Sequence, residues 1–238
     1  MAGDDGQDSV HAVATNGAGY LINIRTVDAE TSWRVIEQER LSLADLLEDL
    51  TEEQWSSPSL CDGWCVKDVA AHVALAPQPP SPLTMAVEAV RAGGRFHKLN
   101  HDVSVRHAEE PGIDLVAELR EHAASRRLPR VTNYRNILFD ILVHGQDIAI
   151  PLGIPREMPK DAARAGVERV WTMGWPFGVK RRLEQFRYVA TDVDWTAGNG
   201  PEVSGPVSAL LLLLTGRPAA LPRLSGPGVD ALTERVRS

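Results

Sequence analysis

One segment, residues 132–152, constrains the fold of this chain more than any other. Set at about 100° per residue, Tyr134, Ile137, Leu138, Ile141, Leu142, Gly145, Ile148 and Ala149 gather on one wide face. That pattern predicts an amphipathic helix packed into a core. Asp140, His144 and Asp147 fall within roughly 60° of arc beside the face. The stripe borders the core instead of opposing it, and polar groups placed there need partners. Solvation is the ordinary way to satisfy such a stripe. A bound metal is the chemical way.

Asp140-Ile-Leu-Val-His144 is matched upstream by Asp68-Val-Ala-Ala-His72. Residues 66–76 read as a second helix, with Val66, Val69, Ala70 and Val73 on one face and His72 flanking it. Residues four apart share a helical face, with Cβ atoms roughly 6 Å apart. One helix can therefore supply two ligands and another a third. Three protein ligands with an open fourth position describe a catalytic metal site, whereas a structural site is closed by four. The spacing alone is common by chance. Asp68 lies in the first turn of its helix, where a carboxylate favours the N-terminus, and reads as a cap. Cys61 and Cys65 do not make a disulfide framework; with His72 they form an alternative zinc half-site. Cys65 also stands at a helix start, where it caps poorly. His97 and His101 are four apart, but Arg95, Lys98, Asn100 and Asp102 around them predict exposed histidines.

The remaining chain reads as more helices and a late change of character. Residues 1–30 are expected to be a flexible N-terminal tail, polar and Gly/Asp-rich at the start. Helical periods cover 33–50, 113–125 and 160–173, and a capped short turn covers 51–55. The proline-rich 77–82 stops the second helix. A long helix is expected over 83–107, interrupted in composition by Gly93-Gly94. Residues 185–193 alternate as a strand, 194–201 are turn-rich, and Pro201-Glu-Val leads toward a second strand. Residues 206–215 are apolar on all sides; Pro206 before them and Gly216 after favour a buried helix. A short helix covers 229–237. The expected fold is mainly α: an up-and-down four-helix bundle over 31–178 and a small α+β domain over 179–238.

The 238 residues carry a formal net charge of −7. A nucleic-acid binder shows a basic field, and the small clusters Lys180-Arg181-Arg182 and Arg126-Arg127 do not make one. The longest apolar run, 209–214, falls far short of the ~20 residues that cross a bilayer. The first stretch lacks the basic start of a secretory signal. The expectation is a cytoplasmic protein acting on small molecules, with no nucleic-acid or membrane partner.

Three stretches together resemble a known family. The first is Trp55-Ser-Ser-Pro-Ser-Leu-Cys-Asp-Gly-Trp64-Cys-Val-Lys-Asp68-Val-Ala-Ala-His72. The second is Asp140-x-x-x-His144-Gly-Gln-Asp147, and the third is Gly198-Asn-Gly-Pro-Glu-Val-Ser-Gly-Pro206 with the leucine run ending at Arg217. In register they resemble the mycothiol-dependent maleylpyruvate isomerase family, a branch of the DinB-like metal-binding bundles. The resemblance implies a divalent metal, zinc first with nickel or iron compatible, held by His72, Asp140 and His144. It implies Asp147 as a residue orienting a ligand. It implies mycothiol, the small thiol of actinobacteria, as co-substrate. A free thiol has a pKa near 8.5, and a bound divalent cation removes that proton. The thiolate then adds to an electrophilic carbon, giving an isomerase if addition reverses after bond rotation and a thiol S-transferase if it does not. Arg217 matches the family's C-terminal arginine and is a candidate for a substrate carboxylate; capping its own helix's carbonyls is the equal alternative. The family usually has Glu at position 140. Asp is shorter by about 1.5 Å, so the helices lie closer, or water intervenes, or the site is weakened. A non-catalytic metal- or ligand-binding bundle, or an interaction module with a decayed site, therefore stays open.

Overall fold

The computed structural model describes residues 27–78, 82–91, 93–128 and 132–237. Helix α1 spans Ala29–Glu48, α2 Glu52–Trp55, α3 Val66–Leu75, α4 Pro82–Arg91, α5 Phe96–Ala108, α6 Leu115–Glu121, α7 Tyr134–Ala149 and α8 Lys160–Thr172. After a short α9 (Val179–Leu183) come strands β1 (Arg187–Ala190), β2 (Thr196–Ala197) and β3 (Glu202–Gly205). Helix α10 (Val207–Leu214), a 3₁₀ turn (Pro218–Arg223) and α11 (Val229–Arg237) complete the described chain. The mainly helical fold with a small mixed domain is as the sequence predicts.

Local chemistry explains the helix starts. Asp28 caps α1 by accepting from the Thr31 N–H at 2.7 Å. The first helix thus begins at Ala29, inside the stretch expected to be tail; residues 1–26 of that tail lie outside the described residues. Thr51 and Gln54 form a reciprocal capping box on α2. Asn133 caps α7 through the N–H groups of Arg135 and Asn136. The expected helix over 83–107 is instead two helices, because Gly93 and Gly94 both take left-handed φ of 62° and 71°.

Helix α1 packs on α6 and α7, α3 packs on α5, α6 and α7, and α8 lies between α7 and α10. Ile36, Leu43, Leu47, Val69, Leu138 and Leu142 fill the bundle core. Trp33 lies against Tyr134 with ring centroids 6.5 Å apart. Further along, Arg156 joins the two helices: it donates to Glu39 Oε2 at 2.7 Å and runs past Gly145, where an added Cβ would lie 2.8 Å from its Nε. The neighbours α1 and α7 therefore run in the same direction, a detail that an up-and-down order does not anticipate.

In the C-terminal part the sheet order is β2-β1-β3, antiparallel then parallel, with Tyr188 paired to Ala197 and to Val203. Strand β2 arises in the stretch read as turn. Gly198 explains the tightness of that turn: its φ is +78°, and a Cβ there would meet the Phe186 carbonyl oxygen at 2.0 Å. Leu210 to Leu214 are all buried, so α10 is apolar all round because it is covered all round. Gly166 on α8 lets Leu211 approach, with Cδ2 3.0 Å from where a Cβ would stand. No described helix is long and apolar enough to cross a membrane.

Candidate metal centre

Two helices and two connecting segments build the site. Helix α3 carries His72; α7 carries Asp140, His144 and Asp147 on successive turns of one face. The loop before α3 is tied to α7 by the Leu60 N–H donating to the Asp147 carbonyl at 3.1 Å, which brings Cys61 to the site. Arg217 enters from the end of α10.

Asp140 lies between the two imidazoles. Its Oδ2 is 3.5 Å from His72 Nε2, and its Oδ1 is 3.4 Å from His144 Nε2. A tetrahedral ion with bonds of about 2.0–2.1 Å keeps its ligand atoms roughly 3.3–3.4 Å apart. Ligand atoms from His72, Asp140 and His144 all lie within 4.8 Å of one another. The donor set and its spacing therefore fit a divalent ion. The one-carbon-shorter Asp140 still meets both histidines, because the helices stand close enough for it.

Asp147 fixes the histidine. Its Oδ2 accepts from His144 Nδ1 at 2.8 Å, which keeps the proton there and leaves Nε2 as the free donor toward a metal. Asp147 is fully buried. Arg217 Nε donates to its Oδ1 at 2.9 Å, Arg217 Nη2 to Oδ2 at 2.6 Å, and the Cys61 thiol to Oδ2 at 3.1 Å. Arg217 also donates through Nη1 to the Thr215 carbonyl at 2.5 Å. Its guanidinium is thus engaged by Asp147 and by its own helix end, not held open for a substrate carboxylate. Of the two roles expected for Arg217, the geometry favours carbonyl contact and adds the pairing with Asp147.

Cys61, His144 and Asp147 form a second group with ligand-like spacing. It is the poorer candidate, since the Asp147 oxygens are already occupied by His144, Arg217 and Cys61. The half-site of Cys61, Cys65 and His72 does not assemble: among the described residues Cys65 joins no such group. Instead, Asp68 accepts from the Cys65 N–H at 2.9 Å and caps α3, as its position predicts. In return the Cys65 sulfur faces the Asp68 N–H in a capping box, as a weaker acceptor than a hydroxyl oxygen. Cys65→Ser should therefore stabilise the fold by about 1 kcal/mol and leave metal content unchanged. Thermal melts and metal analysis check this; metal loss would restore the cysteine half-site.

The electrostatics are those of a tight ion cluster. Burial pushes the Asp140 carboxyl up, but His144 and His72 outweigh it and hold it well below the usual range. Burial lowers His144, but Asp140 and Asp147 outweigh it and raise its pKa well above 6.5. The metal-free site thus holds a proton on His144, stabilising the fold below the ordinary histidine pKa and losing that contribution as pH rises through the raised value. A metal must displace the proton. Its apparent affinity should increase about tenfold per pH unit for each proton displaced, levelling off above the raised pKa. Titration calorimetry in buffers of different ionisation enthalpy measures this, and binding without proton release contradicts it.

Aromatic rings line one side. Trp64 meets His72 edge-on at 5.8 Å and His101 at 5.5 Å, and the His72 and His144 rings are 4.8 Å apart. His101, expected to be exposed, is half-buried against Trp64; His97 is exposed. Sequence reasoning missed Trp64 and the approach of Cys61, because loop geometry brings them in. It also missed Arg40, for which a signal existed: Arg40 falls between Ile36 and Leu43 on the apolar face of α1.

A helical bundle with a metal-capable cluster of imidazoles and carboxylates defines the class of this protein. Residues 36–149 match the family model described as the mycothiol maleylpyruvate isomerase N-terminal domain. The matched stretch is the helical part of the chain that carries His72, Asp140, His144 and Asp147. Two solved structures share the fold: a mycothiol-dependent maleylpyruvate isomerase with a TM-score of 0.51 and a point mutant of the same enzyme with 0.50. Each is 15% identical to this chain, covering 82% of it and 95% of the solved chain. No curated protein matches the chain in sequence.

Proposed function

We propose that this protein is a divalent-metal enzyme that uses a small thiol, mycothiol, as co-substrate against an electron-poor carbon of a small unsaturated carboxylate. The observation that carries the reading is the trio His72, Asp140 and His144, with ligand atoms within 4.8 Å of one another, in a stretch that matches this family's model. A divalent cation there, zinc by the donor set, would acidify a thiol brought to it. The chain's own residues do the rest. Asp147 keeps the His144 proton on Nδ1 and its ring aimed. Arg217 neutralises Asp147 and so acts as a positioning residue. Trp64 walls off one side from water.

In the reaction, the thiolate sulfur bonds to one alkene carbon and the π pair moves toward the electron-withdrawing group. Rotation about the resulting single bond, then return of the pair and expulsion of the thiolate, isomerises the substrate with no net consumption of thiol. Protonation of the adduct instead gives an S-conjugate. The domain split at residue 178 follows the same reading: the bundle supplies the ligands, and the smaller part supplies Arg217.

The test is a survey of cis-unsaturated dicarboxylic and keto acids with metal-loaded protein, with and without mycothiol, followed by chromatography of products. Thiol-dependent isomers or conjugates are expected. Turnover that ignores the thiol, or metal-loaded protein that binds these acids without converting them, would favour a non-catalytic binding module.

A further inference from the structure

Arg40 stands out among groups that the reaction does not use. It lies on the core face of α1 and is 1% exposed. Its Nη1 donates to three carbonyl oxygens at the end of α6, His122 at 3.3 Å, Ala123 at 3.1 Å and Ser125 at 2.8 Å. Its Nη2 is buried and has no hydrogen-bond partner. A buried charged donor left unsatisfied is costly and calls for an explanation.

The neighbour that answers it is Asp140. Helices α1 and α7 run side by side in the same direction, and counting along both from the Trp33–Tyr134 contact brings Arg40 level with Ile141, next to Asp140. Asp140 has acceptor capacity to spare, since its two imidazole contacts at 3.4 and 3.5 Å are too long for strong hydrogen bonds. An unsatisfied donor and an under-used acceptor thus share one level of the bundle. Burial depresses the Arg40 pKa to about 10, and Asp140 is the charge that opposes this.

We infer that Arg40 is a positioning residue for the metal site: when a cation binds, the free Nη2 arm takes up one oxygen of Asp140 while the other faces the cation. This rests on the proposed metal function. Such support suits an aspartate, whose short side chain has less reach to find the metal unaided, and a fixed guanidinium sets its angle. The same buried positive charge biases the site toward anionic ligands, such as a thiolate.

The test is a double-mutant cycle between Arg40→Lys and Asp140→Ala, read by cobalt titration and by melting of the metal-free protein. Lysine keeps the charge and a donor for the α6 carbonyls but lacks the second arm. Arg40→Lys should lower metal affinity about 10–100-fold, the usual effect of losing an outer partner of a ligand, with helical content unchanged. It should cause no further loss in the Asp140→Ala background. Wild-type affinity in Arg40→Lys, or an equal loss in both backgrounds, would overturn the inference. If the wild type takes up no metal, the functional reading fails, and the melts alone decide: non-additive shifts support the Arg40–Asp140 pairing and additive ones refute it. If Arg40→Lys does not fold, Asp140→Ala alone should melt well below His72→Ala in metal-free form, because it strands the Arg40 charge. Equal melting of those two would count against it.

Discussion

Replacing His72 or His144 by alanine should abolish stoichiometric metal uptake while leaving a folded helical protein. Each change removes one of three ligands, so affinity should fall by more than the roughly 10–100-fold typical of an outer partner. The fold should survive because neither imidazole is part of the core that joins α1, α3 and α7; that core is built from residues such as Ile36, Val69 and Leu142. His144→Ala should cost more stability than His72→Ala. It takes a partner from the fully buried Asp147, whereas His72 contacts the partly exposed Asp140. Metal analysis after dialysis, with circular dichroism on the same samples, checks both parts. Full metal content in both variants would place the ion elsewhere.

Arg217→Ala should be among the most destabilising single changes in the chain, at about 3–5 kcal/mol. The guanidinium is paired twice with Asp147, which has no exposed surface. Removing it leaves a buried carboxylate facing only His144 and a thiol. Arg217→Lys should recover part of the loss, since one ammonium cannot reproduce the two-point contact. The pairing also sets a pH dependence. Burial pushes the Asp147 carboxyl up, but His144 and Arg217 outweigh it and hold it well below the usual range. Its contribution is therefore present above the ordinary carboxylate pKa of about 3.9 and is lost as pH falls through the lower folded value. Chemical denaturation at neutral pH measures the first effect. A loss below about 1 kcal/mol, the range of exposed pairs, would mean that the contact is superficial.

Much of this was legible in the sequence, for identifiable reasons. The stripe of Asp140, His144 and Asp147 could be read because a helix converts spacing into direction, and α7 is long enough for the pattern to repeat. Asp68 could be read as a cap for the same reason. What the sequence hid depends on tertiary geometry. Nothing in the order of residues says that α1 runs beside α7 in the same direction, so the level match of Arg40 and Asp140 could not be foreseen. Arg217 was legible as important, but not its partner, because the Asp147 contact spans two parts of the chain. The break at Gly93-Gly94 was visible in composition and under-weighted, since a single glycine is tolerated in helices whereas two adjacent left-handed residues are not. Strand β2 is too short for its alternation to register.

The most direct measurement concerns the metal and the thiol together. The metal-free protein is loaded with cobalt and titrated with mycothiol while the visible and near-ultraviolet spectra are recorded. One cobalt per chain should bind, and thiol addition should bring in a sulfur-to-metal charge-transfer band, with a proton released as the thiol ionises. His72→Ala should show neither. A cobalt spectrum that ignores the thiol, or cobalt bound equally well without His72, would contradict the account.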